Sequence, residues 1–454
     1  MTPFDPIWSG ARRIAQAVTA GEVSATEVVQ AHLARIEALE PGLNAFIIRN
    51  PKAVVDAGKA RQGALAGVPI SIKDLVLTRG MLTTAGSKTF GKGLPSKSDA
   101  PVAKKLRRAG AVFLGKNNLH EIAMGVTTVN EHFGPARNPW DPTRVAGGSS
   151  GGSAVAVAAG MGAASVGSDT RGSIRIPAAC CGITGLKPTF GLIETEGVVP
   201  LAATLDHLGP MTRSVEDAAL LLGVMVGHKR KAARWMEAVD QAPEPSLRLA
   251  ISDALFENVD GSITGPVMEA VEEFSRAGWS ISRVEVPSLP EAHAASGVLT
   301  SAEALAFHVE RLESNPDGFG PVVRSRLEKG RNLTAVDYVK AEMTRAMFTA
   351  GWHALFANVD CVLAPVLAAT PPAIAEPSNV TINGEAANTL DAFTRLTAPA
   401  NMAGIPALTI PCGFTAGGLP VGLQLIAPLN REDILLSLGA WYQRMTNWHT
   451  RRPG

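Results

Sequence analysis

Segments with strand character alternate with helical segments along most of this 454-residue chain, and this alternation constrains the fold more than any other feature. Capping-box spacing from Ser24 to Glu27 predicts a helix that ends before Pro41, and Ser214 begins a second apolar helix. The strand-like segments are "GVPISIKDLV", "AVFLG", "RLAIS", "WSISRVEV", "DCVLAPV", "PALTIPCG" and "PVGLQLIA". This rhythm predicts an α/β fold in which helices cover a sheet.

Composition and charge disfavour several classes of protein. Lys and Arg number 42 against 41 Asp and Glu, and no basic cluster with interleaved aromatic residues occurs, so we expect no nucleic-acid partner. Four cysteines form neither a disulfide framework nor a zinc motif, and nine histidines include no metal-ligand pair, so no metal or other cofactor is expected. The polar N-terminus and the lack of an 18-residue apolar stretch predict a cytoplasmic protein without a membrane segment.

The run "RVAGGSSGGSAVAVAAG" admits three interpretations from its residues. A flexible linker is disfavoured, because the run leads directly into a buried-element composition. Phosphate binding requires a lysine after the glycines, and none follows. Residues 148–152 match the G-x-S-x-G nucleophile elbow, but the preceding "NPWDPTRVA" is not the buried strand that an elbow requires.

A second serine turn lies downstream in "VGSDTRGSIRIPAACCGITGLKPT". Together with the first run, with "GVPISIKD", with "GKNNLHEIAMGVTTVNEHFGPARNPWD" and with the tail "TAPANMAGIPALTIPCGF", it resembles the amidase signature family. The resemblance covers nearly the whole chain except about 228 to 345, where the pattern is looser. It implies one α/β/α domain over residues 1–454, built on a large mixed, twisted sheet, with the region 228–345 as a variable cover over the pocket.

The resemblance also implies hydrolysis of C–N bonds by a Ser-Ser-Lys triad. Matched motif by motif, Ser173 is the nucleophile, Ser149 the bridging serine after a cis Gly148–Ser149 bond, and Lys73 the final base. An unperturbed lysine is neutral in only about one molecule in 2,500 at pH 7, so the relay requires burial to lower the pKa of Lys73. Strand alternation turns the adjacent Asp74 to the opposite face, away from the ammonium.

Backbone amides of the nucleophile turn are expected to form the oxyanion hole, at Thr170, Arg171, Gly172 and Ser173. Arg171 departs from the commoner glycine of the family, and a positive φ at this position would strain it. Its side chain either narrows the pocket, meets an anionic substrate group or forms a surface ion pair. Arg175 is expected to brace the turn through Asp169.

The resemblance places Ala123, Met124 and Gly125 along the substrate pocket. Ser150 is the alternative to Ser149 as the bridging serine. It could instead bind substrate or stabilise the turn, and the sequence does not decide between these roles. His120 and His132 flank the loop and are interpreted as packing residues, and Cys180 and Cys181 as small core residues.

Three functions remain from the sequence. The first is a stand-alone amidase that acts on a small amide, aryl acylamide, carbamate or ester, with a homodimer left open. The second is the glutaminase subunit of a tRNA-dependent amidotransferase, whose glutamine-binding acid is expected seven positions before Asn401, where this chain has Thr394, while Asp391 lies ten positions before it. The third is a non-catalytic binding protein with the same fold, which an intact Lys73, Ser149 and Ser173 set disfavours.

Overall fold

The computed structural model describes residues 4–90 and 93–454. The helices are α1 (Ala11–Ala20), α2 (Ala25–Leu43), α3 (Ala53–Ala57), α4 (Pro101–Arg108), α5 (Gly151–Ala158), α6 (Arg175–Cys181), α7 (Val215–Val226), α8 (Lys229–Asp240), α9 (Asp253–Phe256), α10 (Gly261–Arg276), α11 (Leu289–Ser314), α12 (Pro321–Gly330), α13 (Ala335–Leu355), α14 (Thr389–Thr394), α15 (Ala398–Met402) and α16 (Glu432–Met445). Within the described residues, no helix combines the length and apolar character that a bilayer crossing requires.

The strands are β1 (Phe46–Arg49), β2 (Pro69–Lys73), β3 (Val112–Asn117), β4 (Val129–Asn130), β5 (Gly134–Pro135), β6 (Arg137–Asn138), β7 (Asp141–Val145), β8 (Ala164–Asp169), β9 (Thr184–Lys187), β10 (His207–Thr212), β11 (Leu249–Ile251), β12 (Ile281–Arg283), β13 (Cys361–Pro365), β14 (Asn379–Ile382), β15 (Glu385–Asn388), β16 (Ala407–Phe414) and β17 (Pro420–Ile426). Eleven of them form one sheet in the order β1-β3-β2-β8-β10-β9-β16-β17-β13-β11-β12. Parallel and antiparallel pairs are mixed in it, so the predicted α/β fold with a large mixed sheet is confirmed.

Strand β2 lies inside the sheet, parallel to β3 on one side and to β8 on the other. All five of its residues are buried, because both of its faces are covered. The carboxyl ends of β2 and β8 therefore lie side by side, and these ends carry Lys73 and Asp169. This arrangement brings the "GVPISIKD" and "VGSDTRGS" motifs to one edge of the sheet.

Helix α2 begins where the sequence predicts but ends later. Ser24 and Glu27 form the predicted capping box, with the Ser24 hydroxyl accepting from the Glu27 amide at 3.1 Å. The helix then continues past Pro41 to Leu43. Pro41 lies in the last turn, where its missing N–H removes only one helical hydrogen bond, and Asn44 closes the helix in the left-handed conformation with φ of 51°.

Residues 228–345, the region expected to vary, contribute to both the sheet and the cavity described below. Strands β11 and β12 extend the sheet at its end, in parallel with β13. Helices α11 and α12 supply several residues that line the cavity.

Candidate active site

Lys73 ends strand β2 with its side chain among hydroxyl groups. Its Nζ atom lies 2.7 Å from Oγ of Ser149 and 2.8 Å from Oγ of Ser168. Lys73 and Ser149 are fully buried, and Ser168 is nearly so. The structure thus brings together two of the three residues predicted for the relay and adds Ser168, which the sequence analysis missed.

The surroundings of Lys73 favour its neutral form. Burial lowers the pKa of Lys73 from 10.5 to about 7, although the nearby carboxylates of Asp206 and Asp169 act to raise it. About half of the molecules then carry a neutral Lys73 at pH 7. The adjacent Asp74 does not neutralise this lysine, because it pairs with Lys116 at 2.8 Å, as the predicted strand alternation requires.

The two serine turns are in direct contact. The peptide bond between Gly148 and Ser149 is cis, as the family resemblance implies. The amide of Ser150 donates to the carbonyl of Ser173 at 3.2 Å, which fixes one turn against the other. Ser173 is only 5% exposed, and it lines the cavity described below.

The amides predicted for the oxyanion hole are not equivalent. Within the described residues, the amides of Thr170, Arg171 and Ser173 have no hydrogen-bond acceptor. Gly172 differs from the prediction, because its amide donates to Oδ1 of Asp169 at 2.7 Å. Arg171 does not have the positive φ that would strain it. The positive φ of this turn, 124°, belongs to Gly172, which adopts it readily.

A buried ion pair supports the turn that carries Ser173. Nη2 and Nε of Arg175 lie 3.0 and 3.1 Å from the carboxylate of Asp169, and both side chains are fully buried. Burial acts to raise the pKa of Asp169, but the Arg175 charge outweighs it and holds that pKa well below its usual range. Asn401 donates to the same carboxylate at 2.9 Å. The predicted bracing role of Arg175 is confirmed by these contacts.

A cavity of about 480 Å³ opens beside Ser173. Ala123, Met124 and Gly125 line it, so the structure brings the three predicted pocket residues into the same cavity as Ser173. Ile122 and Ala123 have φ of 44° and 62°, a left-handed conformation that a β-branched residue rarely adopts. The amide of Ile122 donates to the carbonyl of Ala85 at 2.8 Å, which helps to hold this strained loop.

The cavity wall carries charge of one sign. Arg171, Arg326 and Lys329 line it, and among its described lining residues there is no Asp or Glu. Thr394, at the position where the amidotransferase alternative predicts a glutamine-binding acid, lines the cavity, while Asp391 is not among the lining residues and is exposed. The sequence analysis missed Arg326 and Lys329, because only tertiary packing of α12 brings them to the cavity.

Ser150 is turned away from the cavity, which corrects the expectation that it binds substrate. Its hydroxyl donates to the Ser168 carbonyl at 3.1 Å and accepts from the Ser168 amide at 3.3 Å. These two bonds give it the turn-stabilising role, which is one of the two alternatives that the sequence allows.

Other groups considered from the sequence do not form a serine-histidine pair in the described residues. His120 lies near Thr127 at 3.3 Å, and burial lowers its pKa to about 3. His132 contacts Glu121 at 3.0 Å. Cys180 and Cys181 are buried in the core, where burial raises the pKa of both thiols. No set of three or more potential metal ligands converges in the part of the chain that the structure describes.

Comparison with known proteins agrees with this arrangement. The Amidase family model matches residues 27–436. The glutamyl-tRNA(Gln) amidotransferase A subunit of Chloroflexus aurantiacus is 39% identical, over 96% of each chain.

Two solved structures extend the comparison. One comes from a vestigial protein complex described as revealing the evolutionary origins of an s-triazine catabolic enzyme. It has a TM-score of 0.92 at 33% identity and covers 98% of this chain and 100% of that chain. A bacterial aryl acylamidase has a TM-score of 0.88 at 25% identity and covers 98% and 99%.

A sheet of this topology, with two serine turns and a buried lysine at the carboxyl end of an inner strand, defines an enzyme of the amidase class. The chain belongs to the amidase signature family, as the match over residues 27–436 shows. Its relatives include both amidases and amidotransferase A subunits.

Proposed function

We propose that this protein is a stand-alone amidase that hydrolyses the C–N bond of a small amide, aryl acylamide or carbamate. One observation carries the proposal above the others. A fully buried lysine, whose pKa is lowered to about 7, lies 2.7 Å from the hydroxyl of Ser149, behind a cavity lined by Ser173. A lysine that is neutral at physiological pH is a base that can accept a serine proton.

In the first half-reaction, neutral Lys73 takes the Oγ proton of Ser149 as Ser149 takes that of Ser173. The Ser173 oxygen then attacks the amide carbonyl, and the carbonyl π electrons move to the oxygen. The free amides of Thr170, Arg171 and Ser173 are the donors for this oxyanion. When the tetrahedral centre collapses, the proton passes back through Ser149 to the nitrogen, the C–N bond breaks, and the amine or ammonia leaves an acyl ester on Ser173.

In the second half-reaction, water repeats the attack on the acyl ester. Lys73 accepts the water proton through Ser149, and the Ser173–acyl bond breaks as that proton returns to the Ser173 oxygen. The carboxylic acid leaves and the enzyme returns to its starting state. The relay uses the same atoms in both directions, so no metal or cofactor enters the balance.

The wall of the cavity favours a substrate other than glutamine. The α-ammonium of glutamine requires an anionic partner once it is removed from water. None of the described lining residues supplies a carboxylate, and three of them are cationic. The pocket therefore suits an amide that lacks an ammonium group.

A glutaminase subunit of a tRNA-dependent amidotransferase is the second candidate, and sequence similarity favours it. Relatives that carry this name are 38–39% identical to this chain over 95% or more of its length. This function would require partner proteins, and glutamine would be the source of ammonia.

The experiment that separates the two candidates uses the purified chain alone. We expect it to release ammonia from pentanamide and aniline from an aryl acylamide, and to leave glutamine largely intact. The variant Ser173→Ala serves as the blank, and light scattering reports whether the active species is a monomer or a homodimer. Activity toward glutamine alone, and only after a partner protein is added, would instead support the second candidate.

A further inference from the structure

Arg171 projects a guanidinium group into the cavity without an anionic partner. Its Nη2 atom lies 2.7 Å from Nε2 of His293 and 3.3 Å from Oγ1 of Thr394. Among the described residues, its buried Nε atom has no hydrogen-bond partner and its guanidinium forms no ion pair. Burial and the charge of Arg171 lower the pKa of His293 to about 4, so this histidine is a neutral acceptor and does not compensate the charge.

Arg326 presents a second guanidinium from helix α12. Its Nη1 atom donates to the carbonyl of Met124, on the loop that lines the cavity. Among the described residues Arg326 has no ion-pair partner, and burial lowers its pKa although the charge of Glu131 acts to raise it. Burial lowers the pKa of Arg171 most, the charge of the exposed Asp391 acts to raise it, and the charge of Arg326 lowers it by a smaller amount. Both guanidinium groups line the same cavity.

Two partly buried guanidinium groups that face one cavity without a carboxylate are costly unless an anion joins them. The planar fork of arginine matches the two oxygens of a carboxylate better than it matches a neutral group. Because Arg326 is held by Met124, the anion would lie along the loop 123–125, which the family resemblance places along the substrate pocket.

We propose that the substrate is a monoamide of a dicarboxylic acid, and that Arg171 and Arg326 bind its free carboxylate while Ser173 attacks its amide. The inference rests on the proposed amidase function and narrows its substrate class. It assigns to the Arg171 side chain a role in substrate specificity, whereas the backbone amide of the same residue belongs to the oxyanion hole.

The test compares matched pairs of amides on the purified full chain. Succinamate, glutaramate and adipamate are each paired with the alkanamide in which a methyl group replaces the carboxylate, and glutaramate is also compared with glutamine, which adds only the α-ammonium. We expect kcat/KM to favour the best carboxylate member over its methyl partner by about 10- to 100-fold. Glutamine should be a poorer substrate than glutaramate by at least tenfold, because its ammonium meets a cationic wall.

Variants separate a specificity role from a structural one. Arg171→Gln and Arg326→Gln should each lower the carboxylate-to-methyl ratio of kcat/KM at least tenfold, and Arg171→Lys should lower it less. Arg324→Gln is the matched control, since Arg324 lies on the same helix, is ion-paired with Glu328 at 3.0 Å and does not line the cavity. Its ratio should equal that of the unaltered protein.

Two results would overturn the inference while leaving the amidase proposal intact. One is equal hydrolysis of the carboxylate and methyl members, and the other is a ratio that does not change in Arg171→Gln and Arg326→Gln. A fluorophosphonate probe shows whether the proposed amidase function itself fails. If no amide is hydrolysed and Ser173 is not labelled, the proposed function fails, and the substrate inference fails with it.

Discussion

The Nζ atom of Lys73 lies 2.7 Å from Oγ of Ser149, and neither side chain reaches solvent. In the proposed mechanism this contact takes the place of a histidine base. Burial lowers the pKa of Lys73 to about 7, and the proposed relay passes through the hydroxyl of Ser149.

The pH dependence of the reaction should follow this lysine. Because burial lowers the pKa of Lys73 to about 7 and the neutral form is the base, kcat/KM should rise from pH 5 and level off above pH 8. Asp206→Asn removes a carboxylate that acts to raise this pKa, so its profile should move to lower pH. Initial rates across this range test both statements. A profile that is flat from pH 5 to 9 would contradict the lysine base.

The relay should behave as a unit under mutation. Lys73→Ala and Ser173→Ala should each lower kcat/KM by about 10³-fold or more, because each removes the proton transfer or its donor. The double variant should be no worse than Ser173→Ala alone, since residues of one relay are not additive. Multiplicative losses in steady-state kinetics would show that the two residues act independently. Thermal unfolding of all three variants serves as the control for folding.

Burial of Lys73 should also lower the unfolding free energy of the protein at neutral pH. Between pH 7 and its ordinary pKa of 10.5, the unfolded chain binds a proton at this lysine that the folded protein does not, so stability should rise with pH in that range. Lys73→Met should therefore unfold at a higher temperature than the unaltered protein at pH 7. The difference in unfolding free energy between the variant and the unaltered protein should shrink by about 2 kcal/mol from pH 7 to pH 9. Calorimetry at both pH values measures it, and an advantage that grows with pH would refute the prediction.

Gly172 should be the least replaceable glycine of the nucleophile turn. A Cβ atom at this position would lie 2.7 Å from Cβ of Thr397 and closer still to its hydroxyl, in a backbone conformation with φ of 124°. Gly278 has a comparable φ of 104°, and a Cβ atom added there would meet nothing within 4 Å, so it isolates the backbone cost alone.

Gly172→Ala should consequently lose most amidase activity and at least about 2 kcal/mol of unfolding free energy, while Gly278→Ala should lose about 1 kcal/mol and retain its activity. Denaturant unfolding and kcat/KM measured on both variants provide the comparison. Equal effects in the two variants would mean that the contact with Thr397 is unimportant.

Local patterns in the sequence predicted the parts of the site that depend on short-range geometry. Alternation in "GVPISIKD" correctly separated Lys73 from Asp74, and capping residues marked the starts of α2 and α7. The two serine motifs are long enough to identify the turn at Ser149 and its cis peptide bond through the family resemblance.

Features that depend on long-range packing could not be predicted in the same way. The contact of Ser168 with Lys73 depends on the pairing of β2 with β8, and the position of Arg326 depends on how α12 packs over the cavity. The prediction that the amide of Gly172 belongs to the oxyanion hole is wrong, because this amide bonds to Asp169 only once the turn has folded. Each of these contacts is set by spatial neighbours that no local pattern specifies.

The most direct test of the central claim is to treat the purified protein with a fluorophosphonate and to locate the adduct by peptide mass spectrometry. The proposed relay predicts one adduct on Ser173, formed slowly or not at all in Lys73→Ala and at an unaltered rate in the surface variant Arg324→Gln. An adduct on Ser150, or labelling of Ser173 that does not depend on Lys73, would contradict the account.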